Sequence, residues 1–180
     1  MIGLEIGKED RAVLGVLDAV SAVSAALIDK GYKVTRLSLA PPLESVKEKL
    51  KILKTDLVFN IFEGFFDYPQ SEAEVAYFLE QCHFRFTGCR SDVLSLALDK
   101  AKSKEILAAN GINVPKFQVL NPDNLQDINL NFPCIVKPRC QDASHGITKN
   151  SVVRDFEALK RQVKKINENF EYKEGRNFLI

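Results

Sequence analysis

A lysine that precedes a stretch of small residues is the first feature of this sequence that could bind an anion. Residues 132–147 read FPCIVKPRCQDASHGI, in which Lys137 closes an apolar run and Ala143, Ser144 and Gly146 follow in a short loop. A lysine ammonium is a compact cation that suits a phosphate oxygen, and small residues let backbone N–H groups approach the same anion. The pattern therefore predicts a strand, a phosphate-binding loop and a second strand. Taken alone, it is more often a hairpin with a solvated lysine at its edge.

A second group of cations lies in residues 98–104, LDKAKSK. On a helix, Lys100 and Lys104 lie on one face, whereas Lys102 points elsewhere. Lys100 and Lys104 could therefore face a polyphosphate together. Such lysine-rich stretches are more often a solvated helix surface.

An acidic residue and a glycine follow the third predicted strand. Residues 57–61 form a continuous apolar run, which is typical of a strand buried on both faces of a parallel sheet. Glu63 and Gly64 come just after it, and ligands of open α/β sheets bind beyond the carboxyl ends of the strands. Glu63 is therefore a candidate ligand-contacting group. A carboxylate that caps the next helix is an equally good interpretation.

Strands and helices alternate through the first 90 residues. The apolar periodicity predicts strands at 2–6, 34–39, 57–61 and 84–87, and helices at 12–30, 43–53 and 71–81. Ser71 and Glu74 have the spacing of a capping box at the start of the third helix. This alternation predicts an α/β domain with a Rossmann-like, doubly wound parallel sheet.

The pattern changes beyond residue 90 to a small α+β arrangement. The sequence predicts one helix at 91–110, strands at 116–120, 134–137, 147–153 and 177–180, and a helix at 154–169. The strands at 134–137 and 147–153 would be antiparallel. A boundary near Asp92 to Asp99 divides the chain into a first domain, 1–95, and a second domain, 96–180.

Composition and charge exclude several classes of protein. The apolar share of 46% and the charged share of 27% are ordinary for a globular chain of 180 residues. A formal net charge of +1 argues against a nucleic-acid partner. The sequence has no apolar run of membrane-spanning length, and its first residues lack the features of a secretory signal. We therefore expect a cytoplasmic protein without a nucleic-acid or membrane partner.

The four cysteines carry no metal-binding spacing. Cys82, His83 and Cys89 could in principle hold zinc, but a structural zinc site needs a fourth ligand. We therefore expect buried, reduced thiols and no metal site.

Taken in order, these segments resemble the ATP-grasp superfamily and, within it, its D-alanine–D-alanine ligase-like branch. The matching stretches are DLVFNIFEG (56–64), FRFTG (84–88), LALDKAKSKEILAANGINVP (96–115) and FPCIVKP…ASHGI (132–147). Their order and spacing agree from about residue 56 onwards, whereas the first 55 residues match only in pattern. The resemblance implies a Rossmann-like preATP-grasp domain at 1–95 and an ATP-grasp central subdomain at 96–180, without the C-terminal subdomain.

The resemblance also implies an activity and a nucleotide site. Members of this branch join a carboxylate to an amine through an acyl phosphate made with ATP. By position, Lys100 would contact the nucleotide phosphates and Lys137 those near the adenosine end. Ser144 and Gly146 would lie in the loop that closes over the phosphates.

The other implied ligands are the acceptor substrate and magnesium. Glu63 and Gly64 would face an amino-acid or peptide acceptor, and the resemblance allows a homodimer. The magnesium ligands of the family lie in its C-terminal subdomain, so we expect them outside these residues. We therefore expect the 180 residues to be inactive on their own.

Three departures from the family pattern bear on the substrate. Ala143 stands where the family loop has its first serine, and Glu63-Gly64 replaces a His-Gly pair. Residues 3–13, GLEIGKEDRAV, show no clear match to a Glu-Val-Ser signature. The acceptor therefore need not be D-alanine.

Two other interpretations remain beside the ligase. One is a non-catalytic nucleotide-binding or regulatory module. The other is a receiver-like or flavodoxin-like domain at 1–90, which is disfavoured because the first strand lacks a receiver's acidic pair and no early phosphate loop could hold flavin.

Overall fold

The chain divides into two compact units, Met1–Ser95 and Leu96–Ile180. The structure is a computed structural model that describes residues 2–4, 11–65, 68–141, 147–169 and 177–180. Each unit has its own hydrophobic core. Among the described residues, no helix is both long and apolar enough to cross a bilayer.

The first unit alternates strands and helices. Its elements in chain order are β1 (Ile2–Leu4), α1 (Arg11–Asp29), β2 (Leu37–Leu39), α2 (Leu43–Lys51) and α3 (Ser71–Gln81). Strands β1 and β2 are parallel, with Gly3 opposite Ser38. The strands predicted at 57–61 and 84–87 are reduced to a single parallel bridge between Val58 and Phe86.

The core of the first unit explains why its helices form where the apolar spacing predicts them. Helix α2 buries Val46 and Leu50, and α3 buries Val75 and Leu79. Residues four apart lie on one face of a helix, so each helix presents one apolar stripe to the core. The core is completed by Leu39, Val58, Phe62 and Phe65.

The predicted capping box at the start of α3 is wrong. Gln70 occupies the N-cap position, and Ser71 is the first helical residue. The Ser71 hydroxyl turns back to the preceding loop, where it accepts the Phe65 N–H at 2.8 Å and donates to the Tyr68 carbonyl at 2.5 Å. Because its hydroxyl is committed to the loop, Ser71 braces the chain before the helix and does not cap the helix.

The single helix predicted at 91–110 is also wrong, because Asp99 divides it. Helix α4 spans Ser91–Leu98 and α5 spans Lys100–Ala109. Asp99 is extended, with φ −83° and ψ 97°, and its carboxylate accepts the N–H groups of Ala101 and Lys102. Aspartate is a preferred N-cap residue, so it starts a new helix where the apolar pattern alone predicts continuation.

The second unit contains short strands and one long helix. Its further elements are β3 (Val119–Leu120), β4 (Cys134–Ile135), β5 (Lys137–Pro138), β6 (Val152–Val153), α6 (Phe156–Asn169) and β7 (Phe178–Leu179). The predicted antiparallel pairing is present between β4 and β6. Strand β5 instead pairs with β7 in a three-stranded antiparallel sheet of order β3-β7-β5. Helix α6 covers the second core with Leu159, Val163 and Ile166.

The cysteines differ from the prediction of buried thiols. All four are free, but Cys82 and Cys89 are exposed and Cys134 and Cys140 are half-buried. Within the described ranges, no group of three or more histidine, cysteine, aspartate or glutamate residues is placed to hold a metal ion.

Candidate functional site

Two segments that are 40 residues apart in sequence meet at the start of α5. The Arg139 guanidinium donates from Nε to Oδ1 of Asp99 and from Nη2 to Oδ2, each at 2.8 Å. Paired N–H···O bonds between a guanidinium and a carboxylate combine charge with a fixed geometry. Asp99 is only 8% exposed. The ion pair is therefore held in one orientation.

Lys100 makes two further connections to the same segment. Its backbone N–H donates to the Arg139 carbonyl at 3.2 Å. Its ammonium donates to the carbonyl of Gln141, which is buried. Lys137 lies in β5, just before Arg139. These bonds therefore attach Lys100 to the segment that follows Lys137, so both lysines of the predicted nucleotide site lie in connected parts of the second unit.

The electrostatics of Asp99 favour its ionised form. Burial raises the pKa of the Asp99 carboxyl, but the hydrogen bond and charge of Arg139 lower it. The N–H groups of Lys102 and Ala101 lower it further, so the net pKa lies below the ordinary value of 3.8. The hydrogen bond to Asp99 in turn raises the pKa of Arg139. Both partners therefore remain charged at neutral pH.

Burial also affects the neighbouring thiol of Cys140. It raises the pKa of Cys140, and the negative charge of Asp99 raises it further. The thiolate is the reactive form of cysteine, so a raised pKa makes this side chain a poor nucleophile.

Lys104 does not point where Lys100 does. Its ammonium lies 5.4 Å from the centre of the Phe117 ring and 3.5 Å from the Pro115 carbonyl oxygen. A cation above an aromatic face is attracted by the ring quadrupole. Lys104 therefore packs against the chain after α5, and it is a natural control for Lys100.

Glu63 and Gly64 lie in the first unit, in the loop before α3. Glu63 is exposed, whereas its neighbours Phe62 and Phe65 are buried and pack edge to face with ring centres 5.1 Å apart. The cap position of α3 belongs to Gln70, so the interpretation of Glu63 as a helix cap is wrong. The two buried rings fix the loop and leave the Glu63 side chain at the surface.

Gly64 is required by the path of this loop. Its φ is +85°, and a Cβ there would lie 3.1 Å from the Pro69 carbonyl oxygen. The left-handed region favours glycine, and the close carbonyl leaves little room for a side chain.

A shallow groove of about 250 Å³ lies on the first unit. It is lined by Ala73, Glu74, Tyr77, Ser91, Asp92 and Ser95. Next to it, Glu80 accepts the Ser91 N–H at 2.9 Å and the Ser91 hydroxyl at 2.8 Å. The backbone hydrogen bond, followed by the hydroxyl, lowers the pKa of Glu80. This pair fixes the start of α4 to the end of α3.

The remaining predicted site residues, Ser144 and Gly146, lie outside the described residues, as does Ala143. Sequence reasoning missed Asp99, Arg139 and Gln141. An aspartate before a helical run is a recognisable cap signal, so Asp99 could have been found. The contacts of Arg139 and Gln141 are made with a distant segment, so no local sequence pattern predicts them.

Comparison with known proteins finds D-alanine–D-alanine ligases among the relatives of this chain. The chain is 34% identical over 132 residues to a D-alanine–D-alanine ligase of Cereibacter sphaeroides, covering 73% of this chain and 41% of the relative. It is 29% identical over 154 residues to a D-alanine–D-alanine ligase of Pelagibacter ubique, covering 80% and 49%. The chain thus spans less than half the length of these relatives. No protein-family model matches the sequence.

Solved structures share the fold. A D-alanine–D-alanine ligase of Bacillus anthracis aligns with a TM-score of 0.70 at 21% identity, over 99% of this chain and 55% of that one. The ligase of Helicobacter pylori gives 0.65 at 20%, over 99% and 64%. The biotin carboxylase domain of a Hydrogenobacter thermophilus 2-oxoglutarate carboxylase gives 0.59 at 18%, over 81% and 34%.

The shared fold of these structures confirms the predicted α/β fold class. Together with the sequence relatives, it defines an ATP-grasp protein. Within that superfamily, the chain belongs to the D-alanine–D-alanine ligase-like branch.

Proposed function

We propose that the protein is an ATP-dependent ligase that forms a carbon–nitrogen bond between a carboxylate and an amine, with the carboxylate activated as an acyl phosphate. The observation that carries this proposal is the attachment of Lys100 to the segment after Lys137, in a chain whose relatives are D-alanine–D-alanine ligases. ATP supplies the phosphoryl group that makes the carboxylate reactive.

The described lysines fit a nucleotide. Lys100 and Lys137 are half-buried cations in one unit, and lysine suits phosphate as a point charge. We assign Lys100 to the nucleotide phosphates and Lys137 to those near the adenosine end. We also assign Ser144 and Gly146 to the nucleotide phosphates, since small residues let backbone amides approach an anion. The chain's contribution is to bind and orient the phosphates.

Magnesium fits the described residues poorly. A related fold, the biotin carboxylase domain, was solved with MgADP, and metal ions offset charge in phosphoryl transfer. The described part of this chain has no group of three or more potential metal ligands. We therefore assign the magnesium ligands to residues outside the described ones, and we expect the 180 residues alone to bind nucleotide without turnover.

The acceptor is assigned to residues 1–95 and the nucleotide to residues 96–180. Glu63 is exposed in a loop whose neighbouring rings are buried, so its carboxylate is accessible to the ammonium group of an amino acid or peptide. Gly64 shapes that loop. Because Ala143 replaces a loop serine and Glu63 replaces a histidine of the family pattern, we propose an amino-acid or peptide acceptor that need not be D-alanine.

The test joins these 180 residues to the remaining C-terminal length of the Cereibacter sphaeroides ligase and supplies ATP, magnesium and a panel of D- and L-amino acids and dipeptides. We expect release of ADP and phosphate that depends on one class of acceptor and is lost in the K100Q variant. Release of AMP, or ADP release that no acceptor stimulates, would contradict the ligase.

A non-catalytic nucleotide-binding or regulatory module is the second candidate. The observation in its favour is the lack of a metal-ligand group among the described residues. The module predicts ATP binding by the 180 residues with no amino-acid binding. The ligase predicts, in addition, binding of an amino acid or peptide that E63Q weakens, measured by titration calorimetry.

A further inference from the structure

We propose that Asp99 and Arg139 are positioning residues that hold the Lys100 ammonium at residues 139–141, a role that rests on the nucleotide contact proposed for Lys100. Three connections join residues 99–100 to residues 139–141: the Asp99–Arg139 ion pair, the Lys100 N–H to the Arg139 carbonyl, and the Lys100 ammonium to the Gln141 carbonyl. Together they fix both ends of the lysine.

Asp99 has two tasks that a substitution can separate. Its Oδ1 accepts the N–H groups of Ala101 at 3.1 Å and Lys102 at 3.3 Å, which begins helix α5. Both carboxylate oxygens also accept from Arg139. Asparagine caps helices about as well as aspartate, but it lacks the charge that holds a guanidinium. D99N therefore removes the ion pair while it keeps the cap.

Arg139 is the main partner of Asp99. Lys102 also lies near Asp99, with its ammonium 4.0 Å from Oδ2, but its side chain is 63% exposed. Exposed ion pairs at that distance contribute little. The Arg139 side chain is only 26% exposed and is joined by two hydrogen bonds of 2.8 Å. Loss of Arg139 therefore leaves Asp99 without an equivalent replacement.

The segment that receives Lys100 is itself anchored to the sheet. The Arg139 N–H donates to the Asn177 carbonyl at 3.2 Å, just before β7. Strand β5 pairs with β7, with Lys137 opposite Leu179. Because this segment is fixed, the ion pair to Arg139 also restricts the positions of residues 99 and 100. Lys100 is thus placed before a nucleotide arrives, which reduces the ordering that binding requires.

The test measures the position of Lys100 without relying on nucleotide. We would follow acylation of each lysine by an amine-reactive reagent with mass spectrometry in wild-type protein, R139Q, R139K and D99N. We expect Lys100 to react several-fold faster in R139Q and D99N, and to an intermediate degree in R139K, which keeps the charge but lacks the paired donors. Lys102 and Lys104 on the same helix should keep their wild-type rates, since unfolding of α5 would raise all three. K160Q, which removes the exposed Lys160–Glu157 pair of α6, should change none.

A second measurement links position to binding. In calorimetric titrations with ATP, R139Q and D99N should weaken binding about tenfold, as expected for one impaired charge-assisted hydrogen bond, and K160Q should not. If wild-type protein does not bind ATP, the nucleotide role fails while the acylation rates still decide the positioning role. Unchanged Lys100 acylation in D99N and R139K overturns the positioning role, even if R139Q does not fold.

Discussion

Arg139 holds Asp99 through two hydrogen bonds of 2.8 Å, although 40 residues separate them. The same aspartate begins helix α5, and the residue after it is Lys100. One buried carboxylate therefore orders both a helix start and a predicted nucleotide contact.

The first prediction concerns the pH dependence of stability. The pKa of Asp99 is lowered in the folded protein from its ordinary value of 3.8, so its contribution is complete well above that value and is lost as the pH falls through the lower folded pKa. At pH 7, D99N should lower the free energy of unfolding by about 1–2 kcal/mol. Urea denaturation should show the difference between wild type and D99N shrinking from pH 5 towards pH 3. A difference that stays constant over that range would mean that Asp99 titrates normally.

The second prediction concerns Gly64. Replacement by alanine meets both the positive φ and the Pro69 carbonyl oxygen at 3.1 Å. Gly31 is the matched control, because its φ of +83° is similar and nothing lies within 4 Å of its Cβ position. G31A should cost about 1 kcal/mol and G64A about 2–3 kcal/mol, measured by chemical denaturation. Equal losses of stability in G31A and G64A would show that the Pro69 carbonyl moves away without an energetic penalty.

The third prediction concerns the hydroxyl of Ser71. It is fully buried and joins the Phe65 N–H to the Tyr68 carbonyl. S71A removes the acceptor of the buried Phe65 N–H, whereas the Tyr68 carbonyl keeps the Ser71 backbone N–H at 3.0 Å. The variant should cost about 1–3 kcal/mol. Ser95 is exposed on α4, so S95A should change stability by less than about 0.5 kcal/mol. Similar stabilities for the two variants would contradict the bracing role.

The sequence predicted the elements that bury one apolar stripe. Helices α1, α2, α3 and α6 lie within a few residues of their predicted positions, because their apolar spacing is the cause of their packing. Strands are less determined locally, and the strand predicted at 57–61 is a single bridge at Val58. A strand forms only where a partner strand pairs with it. A continuous apolar run therefore predicts that a segment is buried, but it does not predict how many residues pair.

The sequence likewise predicted some residues of the candidate site but not their contacts. Lys100 and Lys137 stand out because their residue type and place near helix and strand ends suit an anion. The partners of Arg139 and Gln141 lie 40 and 41 residues away, and sequence spacing carries no information about such contacts. The capping box failed for a similar reason, since the Ser71 hydroxyl oxygen accepts the Phe65 N–H of the preceding loop and not an N–H of the helix.

The central claim is that Lys100 and Lys137 bind the phosphates of ATP. Its most direct test is the dissociation constant for ATP in wild-type protein, K100Q, K137Q and K104Q, measured by titration calorimetry at one salt concentration. Lys104 is the control because it lies over Phe117. We expect K100Q and K137Q each to weaken binding about tenfold or more, while K104Q binds as wild type does. Binding that is unchanged in K100Q and K137Q, or weakened equally in all three variants, would contradict it.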